Sequence, residues 1–133
     1  MIMKRRKILI VEDEESLLRL ESILLTSKGF EVIGAMDGPS ALKRVVSDRP
    51  DLVLLDVMLP EMNGFEVCRQ IRANPIVSQT PVVMLTAKKN GQDFEQGKEC
   101  GANAYITKPF KSAKVIEIIE QILSESCSSG PGE

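Results

Sequence analysis

The chain has 133 residues, with 17 Lys+Arg and 19 Asp+Glu for a formal charge of −2, and 43% of it is hydrophobic. That apolar share excludes a disordered chain, and the length excludes two full domains. The near-neutral balance argues against a domain built mainly to coat nucleic acid. Histidine is absent, which removes a histidine general base, a Ser-His-Asp or Cys-His pair and a histidine-containing zinc site. The three cysteines, Cys68, Cys100 and Cys127, form no CxxC, so they read as reduced thiols of a cytoplasmic protein. The apolar stretch 8–11 behind the basic start is too short for a signal-peptide core or a membrane span.

In chain order, Ile8-Leu9-Ile10-Val11 predicts a strand buried on both faces. A helix follows over 15–28, with Leu17, Leu20 and Leu24 beside Leu18 and Leu25 as its apolar stripe and Gly29 at its C-terminal cap. Residues 31–35 predict a second strand. Gly38-Pro39 opens a second helix, with Ala41, Leu42, Val45 and Val46 as its buried face. Leu52-Val53-Leu54-Leu55 is the third strand. Beyond Asn63-Gly64, the positions Phe65, Val67, Cys68 and Ile71 predict a helix that ends before Asn74-Pro75. Residues 81–85 form the fourth strand, a polar stretch over 93–100 the fourth helix, and residues 104–107 the fifth strand. Val115, Ile118, Ile119, Ile122 and Leu123 mark the last helix. Residues 1–6 read as a basic leader, 7–125 as the folded domain, and 126–133 as a flexible tail or the start of a linker.

Alternating strands and helices predict a parallel sheet covered by helices on both faces, with its ligand site beyond the carboxyl ends of the strands. Those ends carry Glu12-Asp13, Asp56, Thr86-Ala87 and Thr107-Lys108-Pro109. Alone, each residue has a bland reading: a strand-end acid caps a helix, a lysine lies in solvent, a threonine satisfies its hydroxyl locally. Together they bring three carboxylates, a hydroxyl and an ammonium to one rim. Clustered carboxylates repel, and Mg²⁺ relieves that repulsion while accepting phosphate oxygens. Lys108 and Thr86 then suit a phosphoryl group, and Asp56 suits the nucleophile that forms an aspartyl phosphate.

With these pieces in order, the sequence strongly resembles the receiver domain of bacterial two-component response regulators. The matching stretches are Ile8-Leu9-Ile10-Val11-Glu12-Asp13-Glu14, Asp56-Val57-Met58-Leu59-Pro60-Glu61-Met62-Asn63-Gly64, Pro81-Val82-Val83-Met84-Leu85-Thr86-Ala87, and Gly101-Ala102-Asn103-Ala104-Tyr105-Ile106-Thr107-Lys108-Pro109-Phe110. The resemblance implies a three-layer, flavodoxin-like, doubly wound α/β fold whose five parallel strands run in the order 2-1-3-4-5 with five helices. It implies Asp56 as phosphoacceptor, and Glu12, Asp13, Asp56 and the carbonyl of Met58 as Mg²⁺ ligands. Thr86, Ala87, Tyr105 and Lys108 become phosphoryl-binding or switch positions, and Lys108-Pro109 a cis peptide. Glu12 stands where many members have Asp.

The function implied is a signalling switch. A sensor histidine kinase or phosphotransfer protein donates a phosphoryl group to Asp56. The face made by the fourth predicted helix, the fifth strand and the last helix then changes toward an output domain, a partner protein or a second copy. On this reading the chain is not an enzyme beyond its own phosphotransfer and dephosphorylation, and it contacts neither nucleic acid nor membrane directly. Two alternatives stand beside it. An aspartyl-phosphate phosphohydrolase would carry Asp-x-Asp, and Met58 occupies the second acid's place. A non-phosphorylated docking module would not need the full acid, threonine and lysine set. A nucleotide or flavin module lacks its G-x-G-x-x-G or G-x-x-x-x-G-K-[ST] cradle.

Overall fold

The computed structural model describes residues 6–86, 99–107 and 111–128, with side chains of the last helix through 124. Its elements are β1 (Lys7–Val11), α1 (Glu15–Ser27), β2 (Glu31–Ala35), α2 (Gly38–Asp48), β3 (Leu52–Asp56), α3 (Gly64–Ala73), β4 (Val82–Thr86), β5 (Ala104–Thr107) and α4 (Ser112–Ser128). Of the helix predicted over 93–100, only Glu99 and Cys100 are described, and both are helical. The strands form one sheet in the order β2-β1-β3-β4-β5, every pair parallel. Fold class and strand order are those predicted.

Side chains alternate across each strand, and this divides the interior in two. Leu9, Val11, Val53, Leu55, Val82 and Met84 face one side, where Ala41 and Val45 of α2 and Phe65, Cys68 and Ile71 of α3 cover them. Ile8, Ile10, Leu52, Leu54, Val83 and Leu85 face the other, against Leu25 of α1 and Val115, Ile119 and Leu123 of α4. Every residue of β3 and β4 is buried, as expected of central parallel strands covered on both faces.

Local chemistry sets the helix ends. Asp37 accepts a hydrogen bond from the Ser40 backbone N–H at 2.8 Å, and Asn63 accepts one from Glu66 N–H at 3.0 Å. These are N-caps for α2 and α3. Gly29 follows α1 with φ +94°, the left-handed turn a glycine supplies after a helix.

Two expected core positions are corrected. Leu20 of α1 is 64% exposed, and Val46 of α2 is exposed. In α1, Leu18 and Leu25 pack against the sheet-side core. Leu24 also packs against this core, Leu17 is half-buried, and Leu20 and Ile23 are left at the surface. In α2, Ala41 and Val45 fill the space above the sheet, so Val46, one position on, points outward.

Candidate functional site

The strand register brings the predicted residues to one edge. Val11 pairs with Leu55, Asp56 with Leu85, and Thr86 with Thr107. Asp56 and Thr86 are the last residues of adjacent central strands, and Glu12 follows β1 on the other side of β3. Glu12, Asp56 and Thr86 are buried, while Asp13 is exposed. One carboxylate oxygen each from Glu12, Asp13 and Asp56 lies within 4.8 Å of the others.

Backbone N–H groups hold two of these carboxylates. The Met58 N–H donates to Asp56 Oδ1 at 2.9 Å, and the Glu14 N–H donates to Glu12 Oε2 at 3.3 Å. The Glu12 N–H donates to the Ala35 carbonyl at 3.0 Å, continuing the β1–β2 pairing beyond the strand. The Val57 N–H does the same toward the Leu85 carbonyl at 2.9 Å, and Gly64 N–H closes the β3–α3 loop onto the Val57 carbonyl at 2.9 Å. Inside that loop, Glu61 takes φ +67°. Met58 is 56% exposed at the mouth of the site.

Tyr105 sits on β5 opposite Met84, half-buried against the core on the α2 and α3 side. Ala87, Lys108 and Pro109, including the expected cis peptide, lie outside the described residues. Sequence reasoning did not single out Gly64 as part of the site. A Cβ there would collide with the Asp56 carbonyl oxygen, and the Asn63-Gly64 dipeptide was its only trace. It also missed Arg72. The Arg72 guanidinium donates to the carbonyls of Gly101 (2.9 Å), Ser78 (3.1 Å) and Thr80 (2.6 Å), and to Asn103 Oδ1 (2.8 Å). It thereby ties the turn before β5 to α3, and no spacing in the sequence signals this.

Three carboxylates at this separation, two of them buried, form a donor set that fits a hard divalent cation with oxygen ligands. Among the described helices, none is long and apolar enough to cross a membrane.

Comparison with known proteins places this geometry. The chain is 44% identical over 126 residues to the alkaline phosphatase synthesis transcriptional regulatory protein PhoP of Bacillus subtilis, covering 95% of this chain and 52% of that protein. It is 48% identical over 112 residues to the DNA-binding response regulator MtrA of Mycobacterium tuberculosis, covering 84% and 48%. The chain thus spans about half the length of these curated relatives, and their names give no support to an absence of nucleic-acid contact. A CheY-like response regulator receiver domain protein from Methanospirillum hungatei superposes with a TM-score of 0.90 at 27% identity, over 96% of this chain and all of that one. The receiver domain of a sensor histidine kinase from Pseudomonas aeruginosa superposes with a TM-score of 0.84 at 31% identity, over 91% and 99%, and holds a coordinated magnesium ion in its active site cleft. The response regulator receiver domain family matches residues 8–120, and with the sheet order and the acidic rim already in place, the chain belongs to that family, a module of two-component signalling.

Proposed function

We propose that this receiver is switched by phosphorylation of Asp56, with Mg²⁺ held by Glu12, Asp13, Asp56 and the carbonyl of Met58. The observation that carries this reading is the convergence of three carboxylates beside the buried Thr86 at the carboxyl ends of the central strands. Bound Mg²⁺ would neutralise charge on the carboxylates and on the incoming phosphoryl group. A carboxylate oxygen of Asp56 attacks phosphorus. The O–P bond forms as the P–N bond to the donor imidazole breaks, and the imidazole leaves with the electron pair and takes up a proton. The Met58 N–H, already directed at Asp56 Oδ1, fixes the plane of the carboxylate. Thr86 donates a hydrogen bond to the transferred group. Lys108 and Ala87 are assigned beside them from sequence.

The donor is a sensor histidine kinase or a phosphotransfer protein of the cytoplasm. The face around β5 and α4 carries the signal to an output domain, a partner or a second copy. DNA binding is the output that the relatives' names suggest for the longer protein. The chain itself performs no chemistry beyond its own phosphorylation and dephosphorylation.

Incubation with Mg²⁺ and a small acyl phosphate should add one hydroxylamine-labile phosphoryl group. Asp56→Asn should abolish the addition, and unchanged incorporation would refute the assignment. Asp13→Ala should weaken Mg²⁺ binding measured by titration, because it removes a direct ligand. Steady turnover of phosphate esters would favour a hydrolase instead.

A further inference from the structure

Away from the acidic rim, two buried cysteines meet at the turn that leads into β5. Cys68 lies on the buried face of α3 and Cys100 just before Gly101, both as buried thiols. The Cys68 thiol donates to the Cys100 carbonyl oxygen at 3.2 Å, a buried contact that sets the Cys68 sulfur directly against that residue. A cysteine serving only as a small apolar filler needs no such partner.

We propose that Cys68 and Cys100 form a redox-modification site, where a peroxide-class oxidant converts the two thiols into an intramolecular disulfide joining α3 to the residues before β5. The roles of the two sulfurs are unequal. The adjacent Cys68 side chain, with Arg69 and Arg72 nearby, holds the Cys100 thiol below its ordinary range, while the Cys100 side chain and burial push the Cys68 thiol up. Cys100 is therefore the attacking sulfur. Access comes from local opening: Cys100 is flanked by the exposed Glu99 and by Gly101, whose φ of +91° makes a tight turn.

The Cys100 thiolate attacks one peroxide oxygen and the O–O bond breaks, giving a sulfenic acid and, after protonation, water. The Cys68 sulfur then attacks the Cys100 sulfur. The S–S bond forms, the S–O bond breaks, and hydroxide leaves with the Cys68 proton as a second water. The sulfurs lose two electrons and the peroxide gains them. None of these groups belongs to the acidic cluster, so the inference stands apart from the phosphorylation reading.

The test uses the whole folded chain with Cys127→Ser, which leaves Cys68 and Cys100 as its only thiols. Hydrogen peroxide treatment, then denaturation and iodoacetamide, should yield a monomer that takes no label and weighs two hydrogens less. Dithiothreitol should restore both labels. In the variant that also carries Cys68→Ser, the same treatment should leave a dimedone-reactive sulfenic acid at Cys100. Two alkylatable thiols surviving a peroxide exposure that fully oxidises the urea-unfolded chain would overturn the proposal, as would bridges found only between chains. Should Cys68→Ser fail to fold, the mass of the Cys127→Ser protein still decides.

Discussion

A Cβ on Gly64 would press into the Asp56 carbonyl and lie 2.9 Å from Val57 Cα, so the first residue of α3 is limited to glycine by the backbone that aims Asp56. Gly64→Ala must shift that backbone, a packing conflict of about 1–3 kcal/mol. Both the urea midpoint and the rate of phosphorylation by a small donor should fall. A variant stable and phosphorylated like wild type would show that the loop yields freely. Met58, whose backbone N–H donates to the same carboxylate, has an exposed apolar side chain that cannot orient an attacking water by a hydrogen bond. Met58→Asn supplies that bond and should shorten the lifetime of the phosphorylated form severalfold. Decay followed by intact mass checks it, and an unchanged lifetime removes the idea. Arg72 is the corresponding case for stability. Arg72→Met leaves the Gly101, Ser78 and Thr80 carbonyls without their donor, at a cost of roughly 1–3 kcal/mol. Urea unfolding should record it. Asp56, Glu12 and Asp13 were legible in the sequence because strand ends announce themselves. Gly64 and Arg72 were not, because close approach and long-range carbonyl capture leave no periodic mark.

The elements were legible wherever a strand was uniformly apolar or a helix carried one narrow stripe. β1, β3 and β4 have the first pattern, and α3 the second, with Phe65, Val67, Cys68 and Ile71 all buried. The reading was less exact where apolar residues outnumber the positions that meet the sheet, as at Leu20 and Val46. Capping follows the same local logic. Asn63→Ala removes the side-chain acceptor from the first turn of α3 and should cost about 1 kcal/mol in chemical unfolding. Asp37 adds a pH dependence. Its hydrogen bond from the Ser40 backbone N–H holds its carboxyl below the ordinary range. A carboxyl depressed in the folded state stabilises the fold above its unfolded value, near 3.9, and loses that contribution as pH falls through the folded value. Asp37→Ala should therefore lower the thermal midpoint at neutral pH, and the gap from wild type should close in strong acid. A gap independent of pH would mean that the carboxylate charge is not what caps α2.

At the scale of the whole molecule, the site and the β5 edge are connected by strand register. Thr86, fully buried, ends β4 opposite Thr107, and two residues earlier Met84 faces Tyr105. Tyr105 already packs inward here, with its hydroxyl oxygen buried; a phosphoryl group on Asp56 should draw the Thr86 hydroxyl toward it, vacate space beside β4 and so favour this inward ring over an outward rotamer. The energy required is small, because the phosphoryl group only biases an existing equilibrium between ring positions. The chain contains one Tyr and no Trp, so tyrosine emission reports this ring alone. Beryllofluoride with Mg²⁺ stands in for the acyl phosphate. Its addition should change the emission or its quenching by iodide. The change should vanish in Asp56→Asn, which removes the attachment point, and shrink in Thr86→Ala, which removes the hydroxyl but keeps the strand. A plain edge-strand aromatic would respond to none of this. Emission and quenching indifferent to activation, in a sample shown by mass to have bound beryllofluoride, would mean that the signal leaves the site without passing through Tyr105.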